Sequence, residues 1–220
     1  MDNNRQKGIL YIVVPCFNEE EALAPSAAKL LNKLHELKEA KIVCEQSRIV
    51  FVDDGSKDRT WDIIKGLYEE HEEIKGLRFA HNRGHQNAIL AGMMYAVKYC
   101  DYTITIDADL QQDVNAMERF ISAYMEGNEI VYGVRNSRDT DGLFKKLSAT
   151  LFYKSMKVMD CNIYENSADY RLMSKKALTA LEQYGEVNLF LRGIIPDIGL
   201  KSSVVHFDVF PRMQGESKYS

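Results

Sequence analysis

The sequence has few of the features that mark disulfide-rich, zinc-binding or nucleic-acid-binding proteins. Its 220 residues include four cysteines, which are widely spaced and form no CxxC pair, so buried free thiols are expected rather than a disulfide framework. Acidic residues outnumber basic ones, 32 to 28, and the formal net charge is -4. Because proteins that hold nucleic acid through bulk charge are normally basic, this balance argues against a nucleic-acid partner.

Long apolar runs and targeting signals are also missing. Residues 1–8 are polar, and the short apolar run that follows ends at Pro15, which is unlike a signal peptide. No stretch approaches the roughly 20 apolar residues of a membrane span. With no internal repeat, low-complexity tract or linker, the sequence predicts one soluble domain over residues 1–220.

Short β-rich runs alternate with longer helical patterns along the chain. Strands are predicted at Ile9–Val14, Arg48–Val52, Leu77–Ala80, Thr103–Ile106, Ile130–Val134 and Ser203–Val209. Helices are predicted over Leu23–Leu37, Trp61–Tyr68, His85–Tyr99, Val114–Met125 and Ser174–Tyr184, and a long one from Leu143, with Asp58 and Asp113 as caps. Several strands are apolar on both faces, which is typical of a parallel sheet with helices on both sides. The order favours an α/β fold with one Rossmann-like, open, twisted and mostly parallel sheet.

Polar clusters directly follow three of the predicted strands. They are Pro15–Glu19, Asp53–Asp58 and Asp107–Gln111. Because open α/β sheets bind ligands beyond the carboxyl ends of their strands, three clusters in register predict one shared site. No G-x-G-x-x-G follows the first strand, which excludes a Rossmann dehydrogenase.

Asp107 and Asp109 have the spacing of a cation site, although a polar turn before a helix would share that spacing. Carboxylates two residues apart on an extended chain project to the same side. A hard divalent ion with few protein ligands keeps positions open for phosphate oxygens, which describes Mg²⁺ or Mn²⁺ on a diphosphate. Gln111 continues the spacing and offers a neutral oxygen. Asp53 or Asp54 can accept hydrogen bonds from a nucleobase or ribose.

The three motifs resemble those of a known family. P-x-[YF]-N-E, D-D-G-S-x-D and D-A-D-L-Q, in this order, resemble family 2 glycosyltransferases of the GT-A fold. The R-x-x-G-x-S-K-Y ending, Arg212–Tyr219, resembles the polyprenyl-phosphate group of that family, which includes dolichol-phosphate mannose synthases and bactoprenol glucosyltransferases. The sequence departs from the pattern in two places: Gln112-Asp113 stands where Asp-Pro is frequent, and Ala168 stands where glycine is expected.

The resemblance implies an inverting transferase that moves a sugar from a nucleotide-diphosphate sugar, UDP-linked rather than GDP-linked, to undecaprenyl or dolichyl phosphate at the cytoplasmic face of a membrane. It implies donor contacts at Pro15, Phe17, Asn18, Glu19, Asp53, Asp54, Gly84, Asp107 and Ala108. It implies Mg²⁺ or Mn²⁺ ligands at Asp107, Asp109 and Gln111. It implies acceptor-phosphate contacts at Arg135, Arg138, Lys145, Ser148, Arg212, Ser217 and Lys218. The residues expected to act in catalysis are Asp107, Asp109, Arg135, Arg212 and Lys218.

Two other functions stay open at this point. One is a family 2 transferase that extends a cell-surface saccharide, for which Asp169 would be the base. The other is a nucleotide-sugar-binding protein without turnover. A lipid phosphate arrives largely ionised and needs cations rather than a base. Relatives of this type commonly continue into membrane helices, so a membrane anchor is expected. The sequence leaves the oligomeric state open, a homo-oligomer included.

Overall fold

The structure is a computed structural model that describes residues 7–136, 167–184 and 190–211. The strands are β1 (Leu10–Cys16), β2 (Arg48–Asp53), β3 (Ile74–Arg78), β4 (Tyr102–Thr105), β5 (Ile130–Arg135), β6 (Ser167–Ser174) and β7 (Ser202–Phe207). The helices are α1 (Leu23–Glu39), α2 (Thr60–Glu70), α3 (His85–Ala96), α4 (Ala116–Met125), α5 (Lys175–Leu181) and α6 (Leu191–Asp197). No described helix is long and apolar enough to cross a membrane.

The seven strands form one sheet in the order β3-β2-β1-β4-β6-β5-β7. β1 pairs in parallel with both β2 and β4, β2 with β3, and β5 with β7. β6 runs antiparallel between β4 and β5. The prediction of a mostly parallel sheet is therefore confirmed. The chain leaves β1 toward β2 and β3 and later returns to the other side of β1 at β4, so the strand order reverses beside β1.

Alternate residues of β1 face opposite layers of helices. Leu10, Ile12 and Val14 lie in a core shared with α1, α2 and α4. Tyr11 and Val13 lie in a second core shared with α3, α5 and α6. All five side chains are at most 7% exposed. The predicted covering of both sheet faces by helices is confirmed, and it explains why the strand reads as apolar on both sides.

The predicted helix starts need correction. α2 begins at Thr60 with Arg59 at the cap position, and α4 begins at Ala116 with Asn115 at the cap position. The predicted cap Asp58 lies one position before Arg59, and the predicted cap Asp113 lies two positions before Asn115. Asp58 still accepts a hydrogen bond from the Thr60 N–H at 3.0 Å, so its side chain serves the first turn without occupying the cap position.

Other predicted elements are present with shifted ends, and two described elements were not predicted. β3 begins at Ile74, three residues before its predicted start at Leu77. β6 and α6 are the unpredicted elements. The long helix predicted from Leu143 lies outside the described residues, and so do the predicted acceptor residues Arg138, Lys145, Ser148, Arg212, Ser217 and Lys218.

Candidate active site

A cavity of about 500 Å³ opens at the carboxyl ends of β1, β2 and β4. It lies where the strand order reverses beside β1, which is the usual ligand position in open α/β sheets. The residues that line it are Pro15, Cys16, Phe17, Glu19, Asp54, His85, Ala88, Asp107, Ala108, Asp109, Gln111, Arg135, Asp169 and Arg192. The three predicted polar clusters therefore do meet in one place.

The loop after β1 is held in shape by the loop after β2. Asn18 adopts a left-handed conformation with φ of 52°. Its N–H donates to Ser56 Oγ at 2.9 Å, and its side-chain Oδ1 accepts from the Lys57 N–H at 2.9 Å. Asn is among the few residues that tolerate this conformation. Asn18 thus joins the two loops and is not among the lining residues, whereas Phe17 and Glu19 on either side of it are.

The two aspartates after β2 have different surroundings. Asp53 is fully buried, accepts from the Ser56 N–H at 3.0 Å, and has its Oδ2 3.2 Å from Arg78 Nε. Asp54 is the one that lines the cavity. Its carboxylate accepts from the N–H groups of Arg83 at 2.6 Å and Gly84 at 2.9 Å. It thereby fixes the entry into α3.

Gly84 stands at the N-cap of α3 with φ of 94° and ψ of 150°. This backbone region is essentially restricted to glycine. The helix it starts carries His85 at its first position, and His85 lines the cavity. Gly84 itself is not among the lining residues, so the structure gives it a part in directing α3 rather than a place on the cavity wall.

The loop after β4 is a strained turn. Leu110 is buried, at 1% exposure, yet has φ of 46°. A non-glycine residue in this region costs on the order of 1–3 kcal/mol and is typical of ligand-binding turns. The Leu110 N–H donates to the Asp107 carbonyl at 3.2 Å, and the Gln111 N–H donates to Asp109 Oδ1 at 3.1 Å. The turn places Asp107, Asp109 and Gln111 together on the cavity wall.

Gln112 is a contact that sequence reasoning missed. It is 2% exposed, and its Nε2 donates to Asp107 Oδ2 at 2.5 Å while its Oε1 accepts from the Asp107 N–H at 3.3 Å. The side chain therefore holds both the backbone and the carboxylate of Asp107. Two adjacent glutamines look alike in the sequence, and the prediction chose Gln111 because of its two-residue spacing. No sequence signal distinguishes the one that turns inward.

The electrostatics around Asp107 favour a cation. Burial raises the pKa of Asp107 above its usual value, and the neighbouring carboxylates of Asp109 and Asp169 raise it further, while His85 and the Gln112 hydrogen bond lower it. His85 Nε2 lies 3.4 Å from Asp107 Oδ1. Asp107 is partly buried, with its side chain 30% exposed, and a partly buried carboxylate beside two others is costly unless positive charge is near.

The donor set fits a divalent cation bound mainly by two carboxylates. Within the described part of the chain, no three His, Cys, Asp or Glu side chains already converge as ligands of one ion. Asp107 and Asp109 share one wall with Gln111. Mg²⁺ and Mn²⁺ commonly take one or two carboxylates and complete their shell with water and substrate phosphates. The fit rests on the two carboxylates that share this wall and on the repulsion of Asp107 by Asp109 and Asp169, which raises the pKa of Asp107.

A second cluster of charges, on β6 and α6, lies beside the first, because His85 Nε2 is 3.4 Å from Asp107 Oδ1 and 3.7 Å from Asp169 Oδ2. Asp169 is 7% exposed and is bound by two guanidinium groups. Arg171 Nη2 donates to its Oδ1 at 2.6 Å, and Arg192 Nη2 donates to its Oδ2 at 3.0 Å. Burial raises the pKa of Asp169, but Arg171 and Arg192 outweigh it, so the pKa lies below its ordinary value. Arg192 was not predicted as a site residue.

The structure thus brings nine predicted site residues to the cavity: Pro15, Phe17, Glu19, Asp54, Asp107, Ala108, Asp109, Gln111 and Arg135. Asn18, Asp53 and Gly84 support the loops instead. His85 and Arg192 line the cavity without having been assigned to it. Their positions depend on α3 and α6 folding over the same edge of the sheet, which local sequence does not report.

A sequence-family comparison matches Glycosyl transferase family 2 over residues 11–181. The chain is 48% identical over 211 residues to the glycosyltransferase YkoT of Bacillus subtilis (strain 168), covering 96% of this chain and 63% of that protein. It is 36% identical over 210 residues to a bactoprenol glucosyl transferase of Shigella phage SfX, covering 95% of this chain and 66% of that protein. The chain therefore spans about two thirds of the length of these curated relatives.

Solved structures show the same architecture. A mannosyltransferase from Pyrobaculum calidifontis in complex with GDP-Man and Mn²⁺ superimposes with a TM-score of 0.62 at 16% identity, covering 96% of this chain and 59% of that one. Glucosyl-3-phosphoglycerate synthase from Mycobacterium tuberculosis in complex with Mn²⁺, UDP-glucose and phosphoglyceric acid superimposes with a TM-score of 0.57 at 14% identity, covering 94% and 73%. At these identities the likeness establishes the fold alone.

Proposed function

The chain belongs to glycosyl transferase family 2 and has the GT-A fold, and from this premise we propose that it transfers a sugar from a nucleotide-diphosphate sugar to a polyprenyl phosphate. In this proposal the donor is UDP-linked rather than GDP-linked, a divalent cation is needed, and the anomeric centre is inverted. The observation that carries it is the cavity at the strand-order reversal, in which Asp107 and Asp109 share a wall and Arg135 and Arg192 lie within the same lining.

The donor is proposed to lie against the loops that follow β1, β2 and β4. Phe17 and Asp54 line the cavity beside these loops, where a base and ribose would be held. A diphosphate at Asp107 and Asp109 would bring negative charge against negative charge. Asp107 and Asp109 would hold a divalent cation, which would offset that repulsion and supply Lewis-acid stabilisation of the leaving nucleotide. Gln112 orients Asp107 for this task through two hydrogen bonds.

The acceptor is proposed to be a phosphate monoester on a lipid. Its second pKa is near 6 by analogy with phosphorylated side chains, so its oxygen is largely ionised at neutral pH and needs no base. The cavity supplies arginine rather than a free carboxylate for this half, because Asp169 is already bound by two guanidinium groups. Relatives at 36% identity are named bactoprenol glucosyl transferase, which supports a polyprenyl phosphate.

The proposed cellular setting follows from the acceptor. A polyprenyl phosphate is embedded in a membrane, so the domain is proposed to act at the cytoplasmic face, with its cavity turned toward the lipid headgroup. The remaining predicted acceptor residues, including Arg212 and Lys218, lie outside the described residues and stay predictions, as does the single domain over residues 1–220.

A transfer assay with matched acceptors tests the proposal. The purified protein is incubated with Mn²⁺ and a panel of UDP- and GDP-sugars, and with either a short polyprenyl phosphate in detergent or a set of saccharide acceptors. Sugar is expected on the lipid phosphate, with a configuration at the anomeric carbon opposite to that of the donor. Transfer to saccharides alone would overturn the acceptor, and tight donor binding with no transfer or hydrolysis would indicate a binding protein.

A further inference from the structure

We propose that a groove along the outer face of α3 docks on a membrane surface rich in anionic phospholipids. The groove has a volume of about 560 Å³ and is lined by residues from the end of β3, the loop after it and α3. None of its described lining residues also lines the candidate active site. This inference rests on the proposed function and adds to it the surface by which the domain would approach a lipid acceptor.

α3 differs from the other long helices because its 12 residues include no Asp, Glu, Lys or Arg. α1, α2 and α4 each carry both acidic and basic side chains. The buried side of α3 consists of Ala88, Ile89, Gly92, Met93 and Ala96. A surface helix normally places charged residues on the face opposite its buried one. The outer face of α3 therefore lacks the usual adaptation to water.

The outer face of α3 forms the largely apolar floor of the groove. Asn87, Leu90, Ala91 and Met94 have the spacing of residues on one side of a helix, and all four line the groove. Leu90, Ala91 and Met94 are only partly buried. Phe79, directly after β3, adds a further partly buried apolar side chain to the lining. Contiguous apolar groups in an open groove with a polar rim are typical of a binding surface.

The rim of the groove is basic. Arg83 and His81 are exposed, and the side chain of Arg78 is 45% exposed. Among the described residues that line the groove, none is acidic. The carboxylates beside this rim belong to Asp53 and Asp54, which are at most 1% exposed. The charged groups that face outward here are therefore arginines, although the chain as a whole has a net charge of -4.

A layer of anionic headgroups above acyl chains matches a basic rim above an apolar floor. Arginine binds phosphate through paired N–H groups, and apolar side chains between the headgroups contact the acyl boundary. One arginine near such a surface strengthens binding about fivefold. A second copy of the chain docked through the same face would instead bring two basic rims together, because a twofold interface pairs a surface with itself. The bilayer is therefore the favoured occupant.

The groove and the candidate active site meet at the start of α3. His85, the first residue of α3, lines the cavity, and Asn87, two residues later, lines the groove. A bilayer docked at the groove would thus contact the same helical turn whose first residue lines the cavity. Docking would raise the local concentration of a lipid phosphate at the cavity without any part for the groove residues in sugar transfer itself.

Vesicle flotation with matched variants tests the inference. The vesicles contain phosphatidylcholine alone or phosphatidylcholine with an equal part of phosphatidylglycerol. The groove variants are Arg83→Gln, which keeps the backbone N–H that Asp54 binds, and Met94→Gln. The controls are Arg119→Gln and Met125→Gln on α4, which packs on the other face of the sheet. Arg119 is exposed like Arg83, and Met125 is partly buried like Met94.

The wild type is expected to bind only the vesicles that contain phosphatidylglycerol. This binding should weaken in about 1 M NaCl, where the screening length falls to about 3 Å. Arg83→Gln should bind about fivefold more weakly, and Met94→Gln about three- to tenfold more weakly. Both control variants should match the wild type. Thermal melting checks that every variant is folded.

Three results would overturn the docking surface. The first is equal vesicle binding by the wild type and both groove variants, or wild-type binding that needs no phosphatidylglycerol. The second is a wild-type dimer that Met94→Gln dissociates in sedimentation velocity while vesicle binding is unchanged, which would identify an interface between copies. The third is calorimetric binding of inorganic phosphate that depends on Arg83 without any vesicle binding, which would identify a site for a small anion.

Sugar transfer to a short prenyl phosphate in detergent separates this inference from the proposed function. Met94→Gln is expected to transfer as fast as the wild type, because no bilayer is present, and a slower rate would overturn a role confined to docking. A wild type that transfers sugar but does not bind anionic vesicles would overturn the docking surface alone. A wild type that binds these vesicles through the groove but transfers no sugar would overturn the proposed acceptor and leave the docking surface in place.

Discussion

Helix α3 packs on the sheet at Gly92 with no room for a side chain. A Cβ built there would overlap Val13 Cγ1 and approach Val52 Cγ2 to 3.0 Å. Both valines are fully buried, on β1 and β2, and β-branched side chains have few alternative rotamers. Gly92→Ala is therefore expected to force α3 away from the sheet. Such overpacking costs about 1–3 kcal/mol, and the better helix propensity of alanine returns about 1 kcal/mol of it.

The net effect of Gly92→Ala is a loss of up to about 2 kcal/mol, which for a chain of this size lowers the melting temperature by about 2–4 °C per kcal/mol. Gly66 in α2 is the matched control, because nothing lies within 4 Å of a Cβ built on it. Gly66→Ala is expected to stabilise the protein by about 0.5–1 kcal/mol. Urea denaturation and thermal melting of both variants measure the difference. Equal stabilisation by the two substitutions would refute the close packing of α3 on β1 and β2.

Two further predictions concern groups whose pKa is shifted by burial or by hydrogen bonds. Burial raises the pKa of Glu73, but hydrogen bonds from its own N–H and from Lys38 prevail and bring it down to about 2 from a usual 4.5. Because this pKa is lowered in the folded protein, the stability that Glu73 contributes is present above pH 4.5 and is lost as the pH falls toward 2. The loss in free energy of unfolding caused by Glu73→Gln, measured by urea denaturation, should therefore shrink between pH 6 and pH 3. A loss that stays constant over this range would contradict the prediction. Burial also raises the pKa of the Cys16 thiol and brings that of Cys100 to about 12. Iodoacetamide should therefore label the partly exposed Cys44 before Cys16 and Cys100 in the folded protein, as measured by peptide mapping, and early labelling of Cys16 would count against the described burial.

The parts of the fold that the sequence predicts well are those in which each segment carries its own signal. β1 and β2 are apolar on both faces because helices cover both sides, and α1 keeps one apolar stripe from Leu23 to Leu37. The polar clusters after β1, β2 and β4 are also visible in the sequence, because each directly follows an apolar strand, and open α/β sheets bind ligands beyond the carboxyl ends of their strands.

The parts that escape prediction depend on distant partners. β6 contains Asp169 and Arg171, whose charge alone would predict exposure. Both are buried because they form an ion pair with one another, and Arg192, 23 residues further along the chain, also binds Asp169. A sequence pattern reports polarity but not the partner that makes polarity tolerable inside a protein. The inward turn of Gln112 is hidden for the same reason, as its partner, Asp107, is set by a strained backbone at Leu110.

The central claim is that Asp107 and Asp109 bind a divalent cation that holds the diphosphate of the donor. The most direct test compares the wild type with Asp107→Asn, Asp109→Asn and the exposed control Asp62→Asn. Binding of a UDP-sugar is measured by calorimetric titration with Mn²⁺ and with chelator, and the rate of sugar transfer is measured on the same proteins. The account predicts Mn²⁺-dependent binding in the wild type and in Asp62→Asn, and a transfer rate about 10²- to 10³-fold lower in the two site variants. Donor binding that is unchanged by chelator, or undiminished transfer in Asp107→Asn, would contradict the account.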